Sequence, residues 1–110
     1  MDVDRIKNTC TETLVLSLLL ERPMHGYEMC KEVERRSQSY FRLKHSTLYP
    51  LLHKLDKAGL VTSKWGEFAG GKPRKYYRLT KKGHTYHRAN VESWQQLFAS
   101  IRQLVPEFAG

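Results

Sequence analysis

The residues best able to do chemistry in this chain are cations gathered in one stretch. Residues 41–83 hold eleven lysines and arginines but only two acidic residues, whereas the segments on either side are close to neutral. The net charge of +8 therefore lies almost wholly in this block. A stretch of almost entirely positive charge indicates a polyanionic partner. Nucleic acid is the leading candidate, and an anionic membrane surface is the weaker one.

Apolar periodicity predicts three helices, over residues 3–20, 24–36 and 46–58, with Asp2 or Asp4 as the candidate cap of the first. Pro50 in the third helix leaves its start open. With Thr47 as the cap, the proline falls in the first turn, where no intrahelical donor is lost. An earlier start would distort that turn.

A basic hairpin and a final helix complete the predicted fold. β-Branched and aromatic residues predict strands over 60–65 and 74–79, with a glycine-rich turn at 69–73. Thr80 then caps a helix that reaches Leu104. We therefore expect a mainly α fold with a small antiparallel hairpin, a winged helix-turn-helix. Residues 40–43 are a candidate short strand.

The third helix is the candidate reading helix, because an α-helix fits the major groove of about 12 Å. Its leucines turn inward and leave polar side chains outside, while the hairpin offers further cations to the DNA backbone. The predicted contacts with double-stranded DNA are Tyr27, Lys44, His45, Ser46, Thr47, Tyr49, His53, Lys54, Lys57, Lys64, Lys72, Arg74 and Lys75.

Enzymatic, RNA-binding and metal-binding functions are less well supported. We find no nucleophile elbow, no phosphate loop, no paired-carboxylate setting and no aromatic platform typical of an RRM. His84 and His87 lack a third ligand nearby, and the two cysteines, Cys10 and Cys30, lie in apolar helical patterns. We expect no enzyme, no metal and no cofactor.

The apolar stretches predict a cytoplasmic chain without a membrane anchor. The longest run, residues 14–20, is shorter than the roughly 20 residues that span a bilayer. Acidic residues near the start and a Glu21-Arg22-Pro23 sequence do not fit a secretory signal.

Three motifs resemble one family. Pro23-Met24-His25-Gly26-Tyr27-Glu28, Thr47-Leu48-Tyr49-Pro50 and the segment 70–80 with Gly83 are similar, in this order, to the PadR family of bacterial transcriptional regulators. The resemblance covers residues 12–83 closely and implies a dimeric winged-helix regulator, usually a repressor, in the compact branch with one C-terminal helix.

The resemblance is broken just before the second motif. Family members commonly place serine or lysine, proline and glycine there, whereas this chain has Lys44, His45 and Ser46. The fold expectation is unaffected, but the operator preference cannot be carried over.

The last helix carries more apolar side chains than a small domain can bury. We expect residues 1–83 to form the DNA-binding domain and residues 84–110 a dimerisation helix, which packs with the first helix of a second chain around a two-fold axis. The predicted interface residues are Ile6, Cys10, Val91, Trp94, Leu97, Phe98, Ile101 and Leu104.

Trp94 has a second interpretation. It resembles a tryptophan of PadR relatives that hold flat aromatic drugs in the dimer interface. Trp94 and Phe98 could therefore line a pocket for a small planar aromatic ligand, with Glu92 favouring a cation. The alternative is that Trp94 only packs the dimer.

Overall fold

The computed structural model describes residues 1–67 and 71–108. In that part of the chain, four α-helices and three strands are followed by a short 3-10 turn. The elements are α1 (Val3–Glu21), β1 (Met24–His25), α2 (Gly26–Arg36), α3 (His45–Lys57), β2 (Val61–Glu67), β3 (Pro73–Leu79), α4 (Lys81–Leu104) and the 3-10 turn (Pro106–Phe108). This order confirms the predicted mainly α, winged helix-turn-helix fold.

Side-chain caps set the beginnings of the two long helices. Thr80 caps α4 as predicted, and of the two candidates at the start of α1 it is Asp2 that caps the helix. The Asp2 carboxylate accepts the backbone N–H of Arg5 at 3.1 Å, and α1 begins at Val3. The Thr80 hydroxyl accepts the backbone N–H of Gly83 at 3.0 Å, and α4 begins directly after it. Each cap satisfies an N–H group that the first helical turn leaves without a partner.

The start of α3, which the sequence left open, is the earlier one. Lys44 occupies the N-cap position without a side-chain cap, and Pro50 lies inside the helix beyond its first turn. Since proline has no N–H, the carbonyl of Ser46 loses its intrahelical donor there. The predicted strand at 40–43 is wrong, because that segment has no strand structure.

The end of α3 leads directly into the sheet. Gly59, with φ of +77°, follows the helix, and the N–H of Leu60 donates to the Leu55 carbonyl at 2.9 Å. This is a Schellman ending, which needs a residue that tolerates the left-handed region. After this turn the chain continues directly into β2.

The sheet has the order β1-β3-β2, all antiparallel. In the wing, Val61 lies opposite Leu79 and Glu67 opposite Pro73. The sequence missed β1, because two residues carry no periodicity. Its pairing of His25 with Tyr76 fixes the start of α2 against the wing. Residues 69–70 of the predicted turn lie outside the described residues.

One apolar core joins these elements. α1 contributes four buried side chains. Apolar side chains of α2, α3 and β3 pack against them. The buried core consists of Val15, Leu16, Leu18, Leu19, Met24, Met29, Val33, Leu48, Leu52, Leu55, Leu60, Val61 and Tyr77. Within residues 1–67 and 71–108, no helix combines the length and the apolar character needed to cross a bilayer.

Candidate nucleic-acid interface

Three exposed rings link the beginnings of α2 and α3. Tyr27 stacks on His45 with a centroid separation of 6.3 Å, and His45 stacks on Tyr49 at 5.8 Å. We call this row of Tyr27, His45 and Tyr49 the ring ladder. It presents phenol and imidazole groups to solvent, and these can donate to phosphates or base edges.

Glycine at position 26 is what allows this approach. A Cβ on Gly26 would lie 2.7 Å from the Tyr49 hydroxyl oxygen, closer than any ordinary contact. The Thr-Leu-Tyr-Pro motif of α3 therefore packs directly over the His-Gly-Tyr motif of α2. The two motifs, separate in the sequence, form one surface.

Cations from two elements flank Tyr27. The guanidinium carbon of Arg74, on β3, lies 5.8 Å from the ring centre, and the Lys31 ammonium lies 5.4 Å from it. Around them is a depression of about 530 Å³, which we call the Tyr27 depression. It is lined by Arg22, His25, Tyr27, Glu28, Lys31, Arg74 and Tyr76. The three cations of this lining outnumber its one carboxylate, Glu28, so the Tyr27 depression can bind a phosphate.

His25 holds the beginning of α2 in place. Its Nδ1 accepts the N–H of Glu28 at 3.2 Å, and the Glu28 carboxylate accepts the N–H of His25 at 3.3 Å. Burial lowers the pKa of His25, and Arg74 and Arg22 add to this against the opposing effect of Glu28. The imidazole is therefore neutral at pH 7 and keeps Nδ1 as an acceptor. This capping box orients Tyr27.

The outward face of α3 continues the surface. As predicted, its leucines turn inward: three of them are buried and Leu51 is partly buried, while the predicted contact residues are all exposed. They extend from the N-cap of the helix to its last residue, and they are Lys44, His45, Ser46, Thr47, Tyr49, His53, Lys54 and Lys57.

The wing divides its cations between two faces, as the strand alternation predicts. Lys64 pairs with Tyr76 and so shares the face of Arg74. Lys75 pairs with Trp65 on the other face, and its ammonium lies 5.9 Å from the ring centre of the buried Tyr77. Arg74 therefore lies beside the ring ladder, Lys64 shares its face of the wing, and Lys75 lies on the opposite face. Lys72 is exposed just before β3.

Lys31 and Arg22 belong to this surface, although the sequence did not single them out. The available signal for Lys31 was its position four residues after Tyr27, which places both on one helix face. The corresponding signal for Arg22 does not exist in the sequence, because its position depends on an ion pair with Glu28 at 2.9 Å.

The predicted interface residues lie on α1 and α4. α4 buries only Gly83 and His87, while Ile6, Leu97 and Phe98 are each about half exposed. Leu104 is 81% exposed. Cys10, Val91, Trp94 and Ile101 are intermediate in exposure. In the single chain, the apolar stripe of α4 therefore remains exposed at Leu97, Phe98 and Leu104.

A groove of about 350 Å³ runs between α1 and α4 beside Trp94. The indole N–H of Trp94 donates to the Thr13 hydroxyl at 3.0 Å, and its ring lies 5.7 Å from that of Phe98. Phe98 and Glu92 do not line the groove. Since Glu92 lies about 160° around the helix from Trp94, it does not join the groove within one chain.

Among residues 1–67 and 71–108, no three histidine, cysteine or acidic residues come together as metal ligands. Both cysteines are free and of intermediate exposure, and Cys30 packs against the core. Burial raises the pKa of the Cys30 thiol.

Comparison with known proteins identifies the family. The model of the transcriptional regulator PadR-like family matches residues 15–89. The chain belongs to the PadR-like family of transcriptional regulators. This membership agrees with the expectation that the chain is not an enzyme.

Solved structures of transcriptional regulators share the fold, two of them over more than nine-tenths of this chain. A transcriptional regulator from Clostridium thermocellum is 33% identical with a TM-score of 0.81, over 93% of this chain and 98% of that one. A PadR family regulator from Eggerthella lenta is 34% identical with a TM-score of 0.80, over 94% and 88%. Bacillus subtilis PadR, solved in complex with operator DNA, is 25% identical with a TM-score of 0.66, over 74% and 46%.

Proposed function

We propose that this PadR-like chain is a transcriptional repressor that binds double-stranded DNA as a homodimer in the cytoplasm. The observation that carries the proposal is the ring ladder flanked by Arg74 and Lys31, because it unites α2, α3 and the wing in one basic surface. That Bacillus subtilis PadR was solved with operator DNA supports this assignment.

In this proposal α3 enters the major groove. Ser46, Thr47 and Tyr49 lie in its first two turns, where HTH reading helices meet base edges. Further along, His53, Lys54 and Lys57 reach towards the groove wall and its phosphates. His45 and Ser46 stand where the family usually has proline and glycine, and they are the positions expected to set operator preference.

The Tyr27 depression would hold a phosphate beside the groove. Arg74 and Lys31 supply charge, and the Tyr27 hydroxyl supplies a donor. Lys64 and Lys72 extend the contact along the wing. Lys75, on the opposite face of the wing, reaches DNA only if the hairpin tip enters the minor groove.

Dimerisation would come from residues 84–110, with residues 1–83 as the DNA-binding domain. The exposed stripe of Leu97, Phe98, Ile101 and Leu104, together with Ile6 of α1, is too apolar to face water in a stable monomer. A two-fold axis along this stripe would present two reading helices to half-sites about one DNA turn apart.

The half-site geometry gives a direct test. The DNA upstream of the chain's own gene is a suitable first target for a footprint with the purified protein. We expect two protected half-sites whose centres lie about one helical turn, 10 to 10.5 base pairs, apart. Protection at a single half-site, or none on any duplex, would contradict the proposal.

A second candidate function is release from DNA by a planar aromatic ligand. The groove beside Trp94 favours it, because a half-buried indole lines an open space of about 350 Å³. In a dimer, two such indoles could enclose a flat ring, and Glu92 of either chain would favour a cation. Titration calorimetry with proflavine tests this: Trp94→Leu should abolish the heat, whereas Trp65→Leu on the exposed wing should retain it. Equal heats of proflavine binding in the two variants would mean that Trp94 only packs the dimer.

A further inference from the structure

His45, the first residue of α3, is the middle ring of the ring ladder. Its imidazole plane is inclined by 22° to the ring of Tyr27 and by 24° to the ring of Tyr49. The two neighbouring rings therefore flank the faces of the imidazole, and the edge that carries its ring nitrogens is exposed. This side chain offers hydrogen-bonding groups to solvent in an orientation that its neighbours restrict.

The two flanking rings are held by contacts of their own. The Tyr49 hydroxyl lies where a Cβ on residue 26 would be only 2.7 Å away, so the ring is seated directly on Gly26. Tyr27 stacks at 6.4 Å on His25, the capping residue of α2. The orientation of His45 is therefore restricted before any ligand binds, which lowers the entropic cost of a directed hydrogen bond.

The two ends of the ring ladder differ in charge. Arg74 and Lys31 flank Tyr27, so the phosphate contact lies at this end. His45 and Tyr49 belong to the first two turns of α3. Cations of DNA-binding proteins meet the backbone, whereas the N-terminal residues of a reading helix meet base edges. In the proposed complex, His45 is therefore the ring that passes from the groove wall to the bases.

We propose that His45 recognises a guanine in each half-site, by donating a ring N–H to the N7 and O6 edge of that base; this rests on the proposed function. An imidazole has at least one ring N–H in either protonation state. Guanine presents two adjacent acceptors in the major groove, whereas adenine places an amino donor beside its N7 and cytosine offers only an amino donor. A donor with a restricted orientation therefore favours guanine.

The identity of residue 45 makes this contact a property of the present chain. Proline, which the family usually has at this position, has no side-chain donor and no aromatic ring. It could neither complete the ring ladder nor donate to a base. We therefore expect the guanine to distinguish the operator of this chain from those of relatives with proline there.

Selection from duplexes with randomised half-sites tests the proposal without a known operator. The wild-type chain should enrich a guanine at one position of each half-site. His45→Phe keeps an aromatic ring in the ring ladder but removes both ring nitrogens. It should lose the preference at that position and keep the others. An equal guanine preference in the wild type and in His45→Phe would overturn the proposal.

Fluorescence anisotropy on two duplexes then measures the size of the effect. One duplex carries the selected G·C pair and the other an A·T pair at the same position. The wild type should bind the second about fivefold more weakly, the cost of one hydrogen bond, and His45→Phe should bind the two equally. A uniform loss of affinity for both duplexes in His45→Phe would place His45 on a phosphate and overturn base recognition.

His84→Phe is the matched control, because it makes the same change at an exposed position of the first turn of α4. It should select and bind like the wild type. A wild-type chain that binds duplexes but enriches no guanine would overturn this proposal alone. A wild-type chain that binds no duplex at all would overturn the proposed function and this proposal together.

Discussion

Arg74 on β3 places its guanidinium carbon 5.8 Å from the ring centre of Tyr27 on α2. This contact joins the wing to the helices that carry the ring ladder. Because β1 pairs His25 with Tyr76, the strand that bears Arg74 is held in register with the start of α2. The wing strand and the helix therefore present their cations together.

Arg74→Ala should weaken binding to every duplex sequence, because the guanidinium would meet the DNA backbone rather than bases. The slope of log K against log salt should fall by about 0.9 for one lost phosphate contact. Fluorescence anisotropy over a series of salt concentrations measures both quantities. Arg88→Ala, an equal change on the exposed face of α4, is the control. A loss for one operator sequence only would mean that Arg74 reads bases.

Gly83→Ala should destabilise the chain, because the added Cβ would collide with the backbone carbonyl of Leu60. Neither the backbone carbonyl nor a Cβ fixed to the helix backbone can turn aside, so α4 must move away from Leu60. We expect a loss of about 2 to 3 kcal/mol and a Tm lower by about 10 °C or more. Thr85→Ala, exposed on the same helix, should change little. Equal Tm values for the two variants would show that α4 docks elsewhere.

Leu97→Glu combined with Phe98→Glu should break the dimer, because two charges would enter the apolar stripe of α4. Analytical ultracentrifugation should show a monomer, and operator binding should be lost with it. Gln95→Glu combined with Gln96→Glu adds the same charge to exposed polar positions of the helix and should remain dimeric. A dimer in the first double variant would remove this stripe from the interface.

The depressed pKa of His25 predicts a loss of stability in mild acid. Its pKa lies below the ordinary value of about 6.5, so the unfolded chain takes up a proton first as the pH falls. The free energy of unfolding is unaffected above that value and should fall as the pH decreases through it. Denaturant unfolding between pH 7.5 and pH 5, roughly one unit and more on either side of that value, measures the slope.

His25→Asn is the informative variant, because asparagine caps a helix well and does not titrate in this range. It should keep most of the stability at neutral pH and show a shallower loss in acid. His87, whose pKa is lowered chiefly by burial, remains and should leave a residual slope. An unchanged slope in His25→Asn would mean that the His25 proton is not coupled to folding.

The sequence alone predicts most of the local structure. The cap at Thr80 and the inward-facing leucines of α3 follow from spacing and side-chain chemistry, and the structure confirms them. The start of α3 could not be decided, because Lys44 offers no cap signal and Pro50 favours a later start. Residues 40–43 have strand-like composition, but their backbone is bound to the end of α2 through Ser37.

The candidate surface was harder to predict, because it depends on contacts between elements. Nothing local indicates that Tyr49 packs over Gly26 or that Arg74 reaches Tyr27. Lys31 and Arg22 were missed for this reason. Lys75 was grouped with Arg74 on charge alone, although neighbouring residues of a strand point to opposite faces.

The central claim is that the ring ladder, the Tyr27 depression and the outward face of α3 form one surface that DNA covers. Its most direct test is a ¹H–¹⁵N NMR titration of the chain with a duplex, followed residue by residue. We predict that the largest changes fall on Tyr27, Lys31, Arg74 and residues 44–57, while the uncovered stripe of α4 changes little. Changes concentrated on α4 or on the Trp65 and Lys75 face of the wing, with residues 44–57 unaffected, would contradict the account.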